Sequence, residues 1–191
     1  MLSFIIDAIK KTELTMLKTI IVINGAGGVG KDTLCNIAAR HFAVWNISSI
    51  TPIKELATVC GWQGEKTDKA RKFLADLKQL TIEYSDYPLR WLMNKCEEFY
   101  ASDATVLFVH IREPKEIQKF VEATNGQALT LLIEGSEYFL SKRAGQAYGN
   151  AADDDVANYN YDYYYKNEYS LKETEEIFPR FLRKVLKENA K

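Results

Sequence analysis

Residues Gly25 to Thr33 read Gly-Ala-Gly-Gly-Val-Gly-Lys-Asp-Thr, residue types that suit the cradling of a phosphate chain. Glycines at 25, 27, 28 and 30 let the backbone turn its N–H groups inward around an anion. Lys31 adds a point charge within reach of β- and γ-phosphates. In the usual loop of this kind the lysine is followed by Ser or Thr, whose hydroxyl ligates Mg2+; here Asp32 stands in that place with Thr33 behind it. The expected triphosphate-binding segment is therefore Gly25, Ala26, Gly27, Gly28, Val29, Gly30, Lys31, Asp32 and Thr33. Asp32 and Thr33 are its expected magnesium ligands, the carboxylate acting directly or through water.

Transfer between two polyanions needs neutralised charge and two aligned oxygens more than covalent help. The other residues to find are therefore cations. Arg112 follows an apolar run, Thr105 to Ile111, and a guanidinium at the carboxyl end of a strand can clamp a phosphate through two parallel bonds. A salt bridge from Arg112 to Glu113 or Glu116 is the plain structural alternative. Lys69, Arg71 and Lys72 form one basic cluster, and Lys142 and Arg143 another. Each cluster also reads as a solvated charged face.

The loop needs a strand feeding it and a helix leaving it. Thr19 to Ile23 is a β-branched run of the kind found in a central parallel strand, and Leu34 to Phe42 carries apolar positions at helical spacing. Beyond them, apolar runs and helical patterns alternate as in βαβ units. Strands are expected at Val44–Ser48, Thr105–Ile111, Leu129–Ile133 and Tyr161–Tyr165. Helices are expected from Pro52 to Cys60, Lys66 to Tyr84, Pro88 to Tyr100, Pro114 to Ala123 and Glu173 to Glu188. Phe73, Leu74, Leu77 and Leu80 read as one buried stripe. Alternation along the tyrosine-rich stretch sends Tyr161, Tyr163 and Tyr165 to one face of an edge strand, which accounts for these rings without nucleic-acid stacking.

The chain has 191 residues, enough for one well-buried core, and 25 basic against 26 acidic residues. A net charge of −1 supplies no global basic field for nucleic acid. Three cysteines, Cys35, Cys60 and Cys96, are odd in number and widely spaced, which fits a reducing compartment and helix-buried thiols. No apolar stretch approaches a membrane span, and at the start the apolar patch precedes Lys10 and Lys11, the reverse of a secretory signal. A cytoplasmic protein without membrane partners is the expectation. Residues 1–15 read as an appendage ahead of a single domain, 16–191. Oligomeric state is left open, a homodimer among the options.

Taken from about residue 17 to 190, the chain resembles the P-loop nucleoside monophosphate kinases, and within them the bacteriophage-type deoxynucleoside monophosphate kinases. The matching pieces are Gly30-Lys31-Asp32-Thr33, Thr51-Pro52-Ile53-Lys54-Glu55, His110-Ile111-Arg112-Glu113-Pro114 and Asn150-Ala151-Ala152-Asp153-Asp154. The resemblance implies a three-layer α/β/α fold with a five-stranded parallel sheet, ATP and Mg2+, and γ-phosphoryl transfer to a nucleoside 5′-monophosphate. It implies catalytic roles for Lys31, Arg112 and Arg143, the last from a lid over residues 134–155. It further implies an acceptor-side helical region, 54–100, in which Lys54 and Arg71 bind substrate, and a turn, Asn167 to Ser170, passing over the adenine. Two features depart from the pattern: Asp32 replaces the hydroxyl residue, and His110 stands where a metal-orienting acid is expected. A nucleotide-binding protein that hydrolyses slowly or not at all, or a kinase of another phosphorylated metabolite, is the alternative.

Overall fold

The computed structural model describes residues 18–135 and 155–190. Five strands alternate with six α-helices among them: β1 (Thr19–Asn24), α1 (Lys31–Ala38), β2 (Val44–Ser48), α2 (Thr51–Val59), α3 (Asp68–Ser85), α4 (Tyr87–Ala101), β3 (Val106–His110), α5 (Pro114–Ala123), β4 (Leu129–Gly135), β5 (Tyr163–Asn167) and α6 (Leu171–Asn189), with a short 3-10 turn, Asp155–Asn158, before β5. All strands pair in parallel in the order β2-β3-β1-β4-β5.

The sheet's centre is buried on both faces because β1 and β3 carry unbroken apolar runs, Ile20–Ile23 and Val106–Val109, not alternating ones. On one face Ile20, Val22, Leu107, Val109 and Leu132 meet Leu92, Cys96 and Phe99 of α4 and Ile117 and Phe120 of α5. On the other, Ile21, Ile23, Phe108, Leu131 and Ile133 meet Leu34 and Ile37 of α1 and Phe178 and Leu182 of α6. Both cores draw on β1, β3 and β4, and β1, which feeds the glycine-rich loop, lies between the other two. All six of its residues are buried.

Register then decides which strand ends meet. Ile23 lies beside His110, His110 beside Ser48, and Gly135 beside Asn167. From β1 the chain crosses to β2, returns to β3, and then passes to the opposite side of β1 for β4. The connections leaving β1 and β3 therefore part in opposite directions at the carboxyl edge. Open α/β sheets bind ligands in that crevice.

Several sequence expectations need correction. The helix after the loop starts at Lys31 and ends at Ala38, because Gly30 in the left-handed region opens it. Strand β5 runs from Tyr163 to Asn167: Asp162 turns its carboxylate back to accept from both the amide and the hydroxyl of Thr130, each at 2.8 Å, so pairing begins after it. Tyr161 consequently lies outside the strand and packs into the core opposite the one that holds Tyr165. Leu80 is 63% exposed and does not belong to the buried stripe of α3, where Ala70 and Lys78 are the buried residues. Cys35 and Cys96 are helix-buried as expected, but Cys60 is exposed beyond α2. Glu134 and Gly135 belong to β4, and the rest of the expected lid up to 154, like residues 1–15, lies outside the described residues. Three helices fill residues 51–101 apart from the connection at 60–67, and α3 and α4 meet at one residue. Asp86 ends α3 and starts α4 with φ 50°, its carboxylate 3.2 Å from the Lys119 ammonium.

Candidate active site

The glycine-rich loop bridges β1 and α1 and is held in shape at both ends. Gly25 has φ 146°, and a side chain there would collide with the carbonyl oxygen of Ile133 on β4. Gly30 has φ 93°, and a Cβ would come within 2.6 Å of the Asn167 amide nitrogen. Both positions demand glycine, for conformation and for space. The same Asn167 amide donates to the Val29 carbonyl at 2.9 Å, tying the loop's exit to the end of β5. At the entrance, Asn24 accepts from the Gly25 amide through Oδ1 at 2.8 Å.

At the N-terminus of α1 the loop amides and the helix dipole combine into a site for an anion. Lys31 folds its ammonium back over the loop, donating to the carbonyls of Gly25 and Ala26, the latter at 3.0 Å. Those carbonyls hold the charge over the cavity that a phosphate would fill. Asp32 and Thr33 are exposed on the first turn of α1. Their donor set fits Mg2+, which takes one or two protein oxygens together with phosphate oxygens and water. Among the described residues no cluster of three or more His, Cys, Asp or Glu could hold a metal by itself.

His110 ends β3 across from this turn. Its Nε2 lies 2.7 Å from Asn46 Oδ1 on β2 and 3.8 Å from the Cys35 thiol on α1. Burial pushes the imidazole down to about 4; Asp32 opposes that shift, and Lys31 and Arg112 add to it. Two conclusions follow. The imidazole is neutral at neutral pH, so it does not supply the negative charge expected of a residue at this place. And Lys31, Asp32, His110 and Arg112 share one electrostatic neighbourhood, although 79 residues (110 less 31) separate Lys31 from His110. The Cys35 thiol beside them is pushed up to about 12, chiefly by burial with Asp32 adding, and is inert at neutral pH.

Arg112 is exposed two residues past β3. Its backbone carbonyl accepts from Asn24 Nδ2 at 3.1 Å, so its place is fixed relative to the loop entrance. Of the two carboxylates close in sequence, Glu113 pairs with Lys78 at 2.7 Å and Glu116 with Lys119 at 3.5 Å. Burial would raise the Glu113 carboxyl, but the Lys78 ammonium, with Arg112 contributing, holds it below its ordinary value.

Other expected residues fall elsewhere. Lys54 is exposed on α2. Arg71 is exposed near the start of α3, and its ion pair is with Asp68 of the same helix at 3.8 Å. Lys78, two turns further along, is only 8% exposed and reaches Glu113 beyond the end of β3 at 2.7 Å. Arg143, with Lys142 and Asn150 to Asp154, lies outside the described residues. Asn24 and Lys78 escaped the sequence reading, and Asn167, expected as the first residue of a turn, is instead the last residue of β5 and holds the loop. For Asn24 and Asn167 the available signal was a polar residue closing an apolar strand at the edge that binds ligands.

No family model and no curated protein matches the sequence. Solved structures do match. A tunicamycin resistance protein from Deinococcus radiodurans superposes with a TM-score of 0.56 at 9% identity, covering 86% of this chain and 95% of that one. A shikimate kinase from Acinetobacter baumannii, solved in complex with shikimate, gives 0.51 at 11%, covering 94% and 99%. A gluconokinase from Sinorhizobium meliloti gives 0.50 at 15%, covering 91% and 95%. At these identities the likeness establishes the fold, the three-layer α/β/α fold of P-loop kinases.

Proposed function

We propose that this chain transfers the γ-phosphoryl group of ATP to a small acceptor lying against Arg112, a (deoxy)nucleoside 5′-monophosphate being the reading its motifs favour. The observation that carries this is the crevice between β1 and β3, where His110 beside the Arg112 turn lies 3.8 Å from Cys35 on the same helix start as Lys31 and Asp32, and Asn24 ties the Arg112 backbone to the loop entrance. A nucleotide-binding protein without transfer activity would need only the loop. A second, fixed cation across the crevice is what an anionic acceptor requires.

In this reading the loop amides and Lys31 bind and orient the β- and γ-phosphates, and Arg112 clamps the acceptor phosphate. Asp32 and Thr33 hold Mg2+, which when bound neutralises charge on the triphosphate. His110, being neutral, adds no third positive charge to a site that holds Lys31 and Arg112.

One feature favours a second reading, an acceptor that presents a hydroxyl. An alcohol must lose a proton as it attacks, whereas an ionised phosphate need not, and His110, unprotonated though weakened as a base by burial, is the imidazole at hand to take it. The chain's fold is also that of kinases named for shikimate and gluconate. The test is ADP release from Mg·ATP with each common ribo- and deoxynucleoside monophosphate, and with shikimate and gluconate in parallel. Turnover with a monophosphate supports the first reading and turnover with a hydroxy acid alone supports the second. ADP release independent of any acceptor, or none at all, removes both.

A further inference from the structure

Asn24 is 1% exposed and Tyr161 is 6% exposed, yet both turn polar atoms into the core between the sheet and α4 and α5. Their hydrogen bonds form one directed chain. The Val156 carbonyl can only accept, so the single proton of the Tyr161 hydroxyl goes to it, at 3.0 Å. The Tyr161 oxygen must then accept from Asn24 Nδ2, at 2.8 Å. That fixes the amide: Nδ2 also donates to the Arg112 carbonyl at 3.1 Å, and Oδ1 accepts from the Gly25 amide at 2.8 Å. No other orientation of the Asn24 side chain satisfies all of these partners.

One buried amide thus joins the first residue of the phosphate loop, the turn bearing Arg112, and, through Tyr161, the 3-10 turn that follows residue 154. The Tyr161 ring is itself held edge-on by Tyr159 and Tyr164, with centroids 5.1 and 6.1 Å away. An apolar residue at 24 would fill the core without needing any of these bonds. A buried polar relay is costly unless fully paired, and once paired it specifies one arrangement of the groups it joins.

We infer that Asn24 and Tyr161 are positioning residues that hold the triphosphate loop and the Arg112 turn in fixed register, so that donor phosphate and acceptor oxygen align. This rests on the phosphotransfer reading for its kinetic consequence and not for its geometry. Misplacing reacting groups by about 1 Å costs on the order of a hundredfold in rate. The relay should therefore appear in kcat and much less in the affinity for either substrate.

The experiment compares Tyr161→Phe, which keeps the ring and deletes the relay hydroxyl, with Asn24→Leu and the double variant. For each, acceptor-dependent kcat and KM, calorimetric ATP affinity and amide hydrogen exchange at Gly25 are measured on full-length protein. In Tyr161→Phe, kcat is expected to fall about ten- to a hundredfold with ATP affinity within about twofold of the parent, and Gly25 exchange to accelerate. The double variant is expected to be scarcely worse than Asn24→Leu alone, since both break one chain. Unchanged kcat in Tyr161→Phe, or a loss confined to KM, overturns the inference. If wild-type protein turns over no acceptor, the phosphotransfer reading fails by itself. The relay is then judged by exchange, and a Gly25 amide as protected in Tyr161→Phe as in the parent overturns it. Should Asn24→Leu fail to fold, Tyr161→Phe alone decides.

Discussion

In the phosphotransfer reading proposed above, the donor and acceptor halves of the site are built by opposite means. The donor half is nine consecutive residues, Gly25 to Thr33, whose shape is set by backbone: two glycines in conformations that exclude a side chain, and amides aimed by the start of α1. The acceptor half is assembled from side chains of β2, α3, β3 and the turn before α5, with Asn46, Lys78, His110, Arg112 and Glu113 each pairing across elements or held by them. A backbone cradle binds any polyphosphate tail. A side-chain wall selects its ligand and changes with single substitutions.

The sharpest way to break that division is at Lys31. Lys31→Ala should lower acceptor-dependent turnover by about a hundred- to a thousandfold, the usual loss on deleting one charge-stabilising donor. Calorimetric titration should show ATP affinity lost whatever acceptor is present; undiminished ATP binding would remove the loop from the donor role. Arg112→Ala should leave ATP affinity near the parent's while raising the acceptor KM. Losing a hydrogen bond to a charged group is worth about 1.5–3 kcal/mol, or about 10- to 150-fold. Parallel losses for ATP and acceptor would mean the halves are not separable.

Asn167→Ala sharpens the donor side. It orphans the buried Val29 carbonyl, so unfolding in urea should register a cost of about 1–3 kcal/mol, with weaker ATP binding and an unaltered acceptor KM.

The smallest effect concerns His110, on the border between the halves. Its folded-state value of about 4 lies below the ordinary 6.5, so the unfolded chain binds the proton more readily. Its contribution to stability is complete above 6.5, falls as pH drops from 6.5 to 4, and is level below that. Urea midpoints across this window should slope in the parent and flatten in His110→Gln. Glu113 acts lower: its depressed carboxyl stabilises above the ordinary 4.5 and loses that contribution as pH falls below it.

The same contrast explains how much of the molecule could be read from its residues. The strand, glycine-rich loop and helix around Gly25 to Thr33 were legible because that pattern is written in consecutive residues. Most strands and helices were legible because burial on both faces writes unbroken apolar runs, as in β1, and on one face writes helical stripes, as in α4. Strand β5 was misplaced by two residues because alternating tyrosines mark a strand without saying where pairing starts; the bond from Thr130 to Asp162 decides that, across 32 residues. The start of α6 carried its own signal, Ser170 and Glu173 forming a capping box, which moves the helix two residues ahead of the apolar pattern. On α3, Arg71 drew notice as a charge in a cluster, while Lys78, whose ammonium crosses to Glu113, resembled any solvated lysine. Side chains that meet across elements leave no local trace.

Asp86 gives the acceptor wall a fixed gauge. Because a single left-handed residue is both the end of α3 and the start of α4, no slack separates the two helices. Adding one residue to α3 ahead of this corner would turn everything before it by about 100° around the helix axis. That would carry Lys78 off Glu113 and bring a different side of the helix to face the crevice. The length of α3 between Lys78 and Asp86 is therefore as much a determinant of what this wall can recognise as any residue on its surface. In the proposed reading, redesign for a new acceptor can change the exposed side chains of α3 but must keep Lys78 on Glu113 and the residue count between Lys78 and Asp86.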